Sequence, residues 1–153
     1  MPGIGKRTSE IILAEIGQDM SRFPTAGHIA SWAGLCPGNN ESAGKRRSGK
    51  TRKGNKILKS TLVECAQSAV QHKNSFFYAQ YQRISMRRGK KRALLAVAHS
   101  MLIAIYHMLK EDIEYNELGA DFYNKFNREK KANSYLKKLK ELGYNVQLTA
   151  QVS

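Results

Sequence analysis

Apolar residues recur at helical spacing along most of the first 110 positions, in blocks separated by glycine or capping residues. Ile11, Ile12, Leu13 and Ile16 make the first block, which stops at Gly17 and has Thr8 or Ser9 as its N-cap. Thr25 caps a short second helix through Ile29, Ala30, Trp32 and Ala33, ending at Gly34. Asn55 opens a third, in which Ile57, Leu58, Leu62, Cys65, Ala66, Ala69 and Val70 repeat at helical spacing to about His72. Asn74 caps a fourth, with Phe76, Phe77, Tyr81 and Ile84 leading to Arg88-Gly89. Residues 90–110 are the most apolar stretch and are expected to form the central helix. A charged helix over about 127–142 stops at Gly143, and residues 144–148 alternate like a short strand. The expected fold is mainly α: a core over residues 1–110, with 111–153 an extension of the same domain.

Residues 35–54 break the pattern. They are rich in Gly, Ser, Asn and basic residues, contain Pro37 and have no sustained period, so they read as a long loop with room for a short hairpin. Their eight positive charges over residues 42–59 resist packing. The stretch from 41 to 54 is therefore expected to be poorly ordered until a polyanion supplies the counter-charge.

Charge turns this loop into a candidate site. The chain has 153 residues with 26 Lys+Arg against 12 Asp+Glu, a net charge of +14 and an isoelectric point near 10.0. Glu64 is the one acid in residues 42–110. Lys45, Arg46, Arg47, Lys50, Arg52 and Lys53 crowd the loop, and Arg87, Arg88, Lys90, Lys91 and Arg92 surround Gly89. Such an excess points to nucleic acid, with these residues on the phosphates. No unbroken apolar run approaches the roughly 20 residues of a membrane span, and the N-terminus lacks the features of a signal peptide. The chain is expected to be soluble and intracellular, away from membranes. Cys36 and Cys65 have no CxxC spacing, and the four histidines are scattered, so no metal site is expected in this chain.

Two segments carry chemistry. Pro2-Gly3-Ile4-Gly5 before a helix has the form of the hairpin in a helix-hairpin-helix element, where Gly3 and Gly5 let backbone N–H groups approach a phosphate. The element's first helix would precede Met1, so a longer parent chain is expected. Residues 41–55 set Ser42 and Ser48 beside glycines among cations. A serine attacking a phosphodiester needs such access and charge, although Ser-Gly is also ordinary loop chemistry. Trp32 reads as a core anchor rather than a base-stacking platform, Cys65 as core, and Cys36 as a small packing residue rather than a nucleophile.

The order Pro2-Gly3-Ile4-Gly5, Phe23-Pro24, Ala30-Ser31-Trp32-Ala33-Gly34-Leu35-x-Pro37, Ser42-x-Gly44-Lys45 and Lys53-Gly54-Asn55-x-x-Leu58-Lys59 resembles one particular domain. It is similar to the C-terminal domain of the DEDD-type, bridge-RNA-guided insertion-sequence transposases, the group that includes Piv-type DNA invertases. Leu142-Gly143-Tyr144-x-Val146-x-Leu148 resembles the family's closing segment. The resemblance implies a serine, Ser42 here, that becomes covalently linked to DNA during strand exchange. It also implies an N-terminal RuvC-like domain, absent from this sequence, whose acidic tetrad binds a divalent metal such as Mg. DNA, a guide RNA and further copies of the enzyme are the implied partners, in the cytoplasm of a bacterium or archaeon. Ala43 stands where a glycine is frequent in the family.

Overall fold

The computed structural model describes residues 1–36, 40–42, 45–48, 51 and 53–145, with the backbone alone at 40–42, 45–48, 126, 127 and 129–131. These residues form two compact units, Met1–Ala120 and Asp121–Ser153. The boundary lies ten residues beyond the one expected at position 110. Residues 111–120 join the first unit because Tyr115 stacks on Phe77, with ring centroids 6.1 Å apart, and Glu117 Oε1 accepts the Phe76 N–H at 2.7 Å.

The first unit runs α1 (Lys6–Ile16), a 3-10 turn (Met20–Arg22), α2 (Ala26–Trp32), β1 (Asn40–Ser42), β2 (Lys45–Ser48), α3 (Lys56–Ala69), α4 (Phe76–Arg88) and α5 (Lys90–Glu111). α5 is its axis and packs on α4, α3, α2 and the 3-10 turn. Val97, Met101, Leu102 and Tyr106 of α5 are buried with Leu58 and Leu62 of α3, Ile16 of α1, Ile29 of α2 and Phe77 of α4. Truncating one of these leucines to alanine would cost about 2–5 kcal/mol. By length and composition α5 could also cross a bilayer. This departs from the expectation, because the polar residues within its 22 positions interrupt any unbroken run without lowering the average enough. Its buried stripe identifies it as the core helix of this unit.

The caps differ from expectation at two starts. α1 begins at Gly5, ahead of Thr8 and Ser9, and Ser9 Oγ donates back to Lys6 O at 2.6 Å. Ser75, not Asn74, caps α4: its Oγ accepts from Tyr78 N at 3.2 Å while donating to His72 O at 2.7 Å. Asn55 caps α3 as expected, its Oδ1 accepting from Leu58 N at 3.0 Å.

β1 and β2 pair antiparallel, Ser42 opposite Lys45, Glu41 opposite Arg46 and Asn40 opposite Ser48. The register slips between Asn40 and Glu41, which leaves Arg47 as the extra residue of a bulge. The stretch expected to be poorly ordered thus holds regular pairing at 40–42 and 45–48; residues 43, 44, 49, 50 and 52 lie outside the described residues.

The second unit contains α6 (Phe122–Glu141), five residues longer at its start than the sequence suggested. The strand expected at 144–148 falls on Val146, Gln147 and Leu148, outside the described residues, and Tyr144 and Asn145 have no regular structure.

Candidate nucleic-acid interface

The basic loop leaves the core at Gly34 and returns at Gly54, and these two points touch. A Cβ placed on Gly54 would lie 2.5 Å from Ala33 C, 2.6 Å from Gly34 Cα and closer still to Gly34 N. Only a residue without a side chain lets the strands cross this tightly. Four hydrogen bonds fasten the crossing and the start of α3. Asn55 N donates to Trp32 O at 3.3 Å. Lys59 Nζ donates to Gly34 O at 3.0 Å and to Thr51 Oγ1 at 2.8 Å. Asn55 Nδ2 reaches Glu15 Oε2 of α1 at 2.6 Å, tying the start of α3 to a second helix. The β ribbon therefore stands on a rigid root, which Leu35 anchors in the core.

Ser42 ends β1 at the tip of the ribbon, paired with Lys45, while Ser48 lies at the other end, opposite Asn40. The two hydroxyl-bearing positions are separated by the length of the ribbon. Arg46 is paired within it and Arg47 is its bulge residue; Lys50 and Arg52 lie outside the described residues, and Lys53 is exposed beside the crossing.

The second basic cluster meets the same root. α4 ends and α5 starts at Gly89, whose φ of 82° makes a sharp corner. Arg87 and Arg88 on one side and Lys90, Lys91 and Arg92 on the other are all exposed. The arginines complement the carbonyl end of α4, whereas Lys90, Lys91 and Arg92 oppose the positive end of α5, where no acid offsets them. Each such cation costs roughly 0.3–1 kcal/mol at low salt, a cost that a bound anion would remove. Arg92 also lines a cleft of about 360 Å³ with Leu35 and Thr51 from the loop root and Gln80, His99 and Ser100 from α4 and α5. One cation of the second cluster, Arg92, thus shares a cleft with Thr51, some 40 positions away at the root of the basic loop. Burial disfavours the charged imidazolium of His99 and holds its pKa below the usual histidine range. Gln80 Nε2 donates to Ser100 Oγ at 2.8 Å, and Gln80 Oε1 is buried with no partner.

Gly3 is explained by packing. Its φ is 79°, and a Cβ there would meet Cys65 O, Ala69 N at 2.7 Å and Ala69 Cβ at 2.9 Å, so the turn at residues 2–3 nests on α3. Gly5 has open space around it and forms the N-cap of α1, which carries Lys6 and Arg7 in its first turn. Cys65 is buried, and desolvation followed by the charge of Glu64 raises its thiol pKa, which fits the expected core role.

The residue misread from the sequence is Trp32. It is 41% exposed, braced on Phe23 with ring centroids 5.5 Å apart at 54°, and it lines an open groove with His28, Ser31, Lys53, Gly54 and Asn55. Among the described residues no three His, Cys, Asp or Glu side chains gather as metal ligands.

Residues 1–82 of the 153 match the family model described as Transposase IS116/IS110/IS902 family. Over 120 residues the chain is 36% identical to the insertion element IS110 uncharacterized 43.6 kDa protein of Streptomyces coelicolor, a match covering 75% of this chain and 28% of that protein. It is 29% identical, again over 120 residues, to the pilin gene-inverting proteins of Moraxella bovis and Moraxella lacunata, covering 76% of this chain and 37% of each. The chain thus spans well under half the length of these curated relatives. No solved structure matches it. With more than half of its length inside the family model, the chain belongs to the IS116/IS110/IS902 family of insertion-sequence transposases.

Proposed function

We propose that this chain is the DNA-binding, serine-bearing part of an insertion-sequence recombinase, and that Ser42 is its nucleophile. The observation that carries the reading is the clamped root: a cationic ribbon with Ser42 at its tip, locked by the Gly34–Gly54 crossing beside a second basic cluster. A nucleophile must approach phosphorus in line, and a rigid root under the ribbon provides the positioning.

In the reaction, Ser42 Oγ bonds to phosphorus while the bond from phosphorus to the leaving strand oxygen breaks. The serine proton passes to solvent or a base, and the leaving oxygen takes one up. The resulting phosphoserine ester is resolved when another strand's hydroxyl attacks it and the serine regains its proton. Lys45, Arg46 and Arg47, with Lys53 and the cluster from 87 to 92, neutralise the phosphates and the charge on the pentavalent phosphorus. A divalent metal held by a RuvC-like domain of the full-length enzyme would stabilise the leaving oxygen. The described residues of this chain do not fit a metal, and no step of their own chemistry runs through one. Sequence choice comes from guide-RNA pairing, so the protein's cations follow the backbone.

The test compares Ser42→Ala and Ser48→Ala in the full-length enzyme with its guide RNA, looking for a protein–DNA adduct on denaturing gels. Loss of adduct and recombination in Ser42→Ala alone, with DNA binding kept, is expected. An adduct that survives Ser42→Ala overturns the assignment. Loss of binding with added salt, at a slope near −5 in log K against log salt if about six phosphates are neutralised, checks the backbone-tracking part. A protein that binds in this way but forms no adduct under any condition is a binding module without catalysis.

A further inference from the structure

We infer that the groove beside Trp32 is a stacking site for one unpaired nucleobase, next to the root of the Ser42 ribbon. The inference rests on the nucleic-acid reading above and adds a subsite to it.

Trp32 is the single tryptophan of the chain, yet it lies exposed at the end of α2. An indole in this position gives up a large apolar area to water unless something covers it. Phe23 braces the ring from outside α2. The open groove offers about 710 Å³, within the roughly 300–1,000 Å³ of small-ligand sites. It is lined by Gly54, whose missing side chain is dictated by the crossing, by the exposed Lys53 and by His28, whose Nδ1 lies 2.8 Å from Thr25 Oγ1.

The chemistry selects the occupant. A flat aromatic next to a cation, with no carboxylate among the described residues that line the groove, suits a base and its phosphate. Asn55 Nδ2 donates to Glu15 Oε2 of α1, and Asn55 Oδ1 is committed to capping α3. The groove's amide therefore has little left with which to read base edges, and stacking there tolerates any base. A base inside a duplex has both faces covered by its neighbours; only a splayed base offers one to Trp32. Strand exchange creates such bases, and this groove shares its backbone with the loop that carries the proposed nucleophile.

Because Trp32 is alone, its emission reports on this groove directly. The 153-residue chain is titrated at low salt with oligothymidylate, with an abasic strand of equal length and with a blunt duplex, while anisotropy of labelled strands measures total binding. Saturable quenching is expected with oligothymidylate and little with the other two, although all three bind. Trp32→Leu should weaken oligothymidylate binding by about 5- to 100-fold, the usual effect of removing a stacking aromatic, and leave the abasic strand unchanged; Trp32→Phe should recover part of the loss. Equal quenching by the abasic strand, or no quenching by oligothymidylate while the abasic strand and duplex still bind, overturns the subsite and leaves the phosphate-tracking surface standing. Failure of all three to bind overturns both.

Discussion

Replacing Gly54 with alanine adds one methyl group at the point where the basic loop closes. Three backbone atoms of Ala33 and Gly34 lie within 2.6 Å of the position that the methyl would take. Backbone cannot rotate away as a side-chain tip can, so the strands must separate. Overpacking with a backbone shift costs about 1–3 kcal/mol. Separation also breaks the Asn55 N–H to Trp32 O bond, worth about 1 kcal/mol. The sum, roughly 2–4 kcal/mol, corresponds to a fall in Tm on the order of 10 °C for a unit of this size. Gly27, exposed in the first turn of α2, supplies the control: its nearest neighbour to an added Cβ is Thr25 Oγ1 at 3.5 Å. Gly27→Ala should be neutral or raise stability by a few tenths of a kcal/mol, because alanine restricts the unfolded chain and favours helix. Thermal melting by circular dichroism at matched concentration reads both. A Gly54→Ala protein melting within about 2 °C of the parent would refute the crossing.

Tyr106→Phe should destabilise the chain by about 1–2 kcal/mol in urea melts, because the buried hydroxyl donates to Phe23 O at 3.0 Å and shares Pro24 O at 3.3 Å while accepting from Lys110 Nζ at 3.1 Å. The folded state holds the pKa of His99 below its ordinary 6.5, so below that pH the unfolded chain takes up the proton more readily. Stability should therefore fall as pH drops from about 6.5 through the folded-state value and level off below it, and His99→Gln should remove that part of the slope. An unchanged slope in the variant would refute the desolvated placement of His99.

The helices were legible because their apolar positions repeat and their stops are glycines, as at Gly17 and Gly89. Caps were harder: Asn74 and Ser75 are both good capping residues, and the choice was decided by the second bond from Ser75 Oγ to His72 O, which depends on how the preceding turn closes. Trp32 follows Ile29 by three positions, so periodicity sends it inward. At the end of α2, however, Ala33, Gly34 and Leu35 occupy the interior, and the ring lies outside on Phe23. The two basic clusters were visible as charge, but that Arg92 and Thr51 line one cleft was not, since nothing local states it. The glycine motifs pointed to backbone approach; that Gly54 approaches Gly34, and Gly3 approaches α3, is tertiary information.

The bond from Tyr106 to the carbonyls of Phe23 and Pro24 spans more than 80 positions, and it has a consequence for how the protein is made. The segment before α2 is secured only after the far end of α5 has been synthesised, and α5 is the axis on which α2, α3 and α4 pack. At about 5–20 residues per second, the ribosome takes roughly 3–10 s to go from the end of the basic loop to Tyr106. During that interval the nascent chain carries a polycation without its scaffold, close to ribosomal RNA. Electrostatic capture of the loop would compete with burial of α5 during that interval, and raising the salt in a cell-free translation should then shift the outcome toward the folded chain.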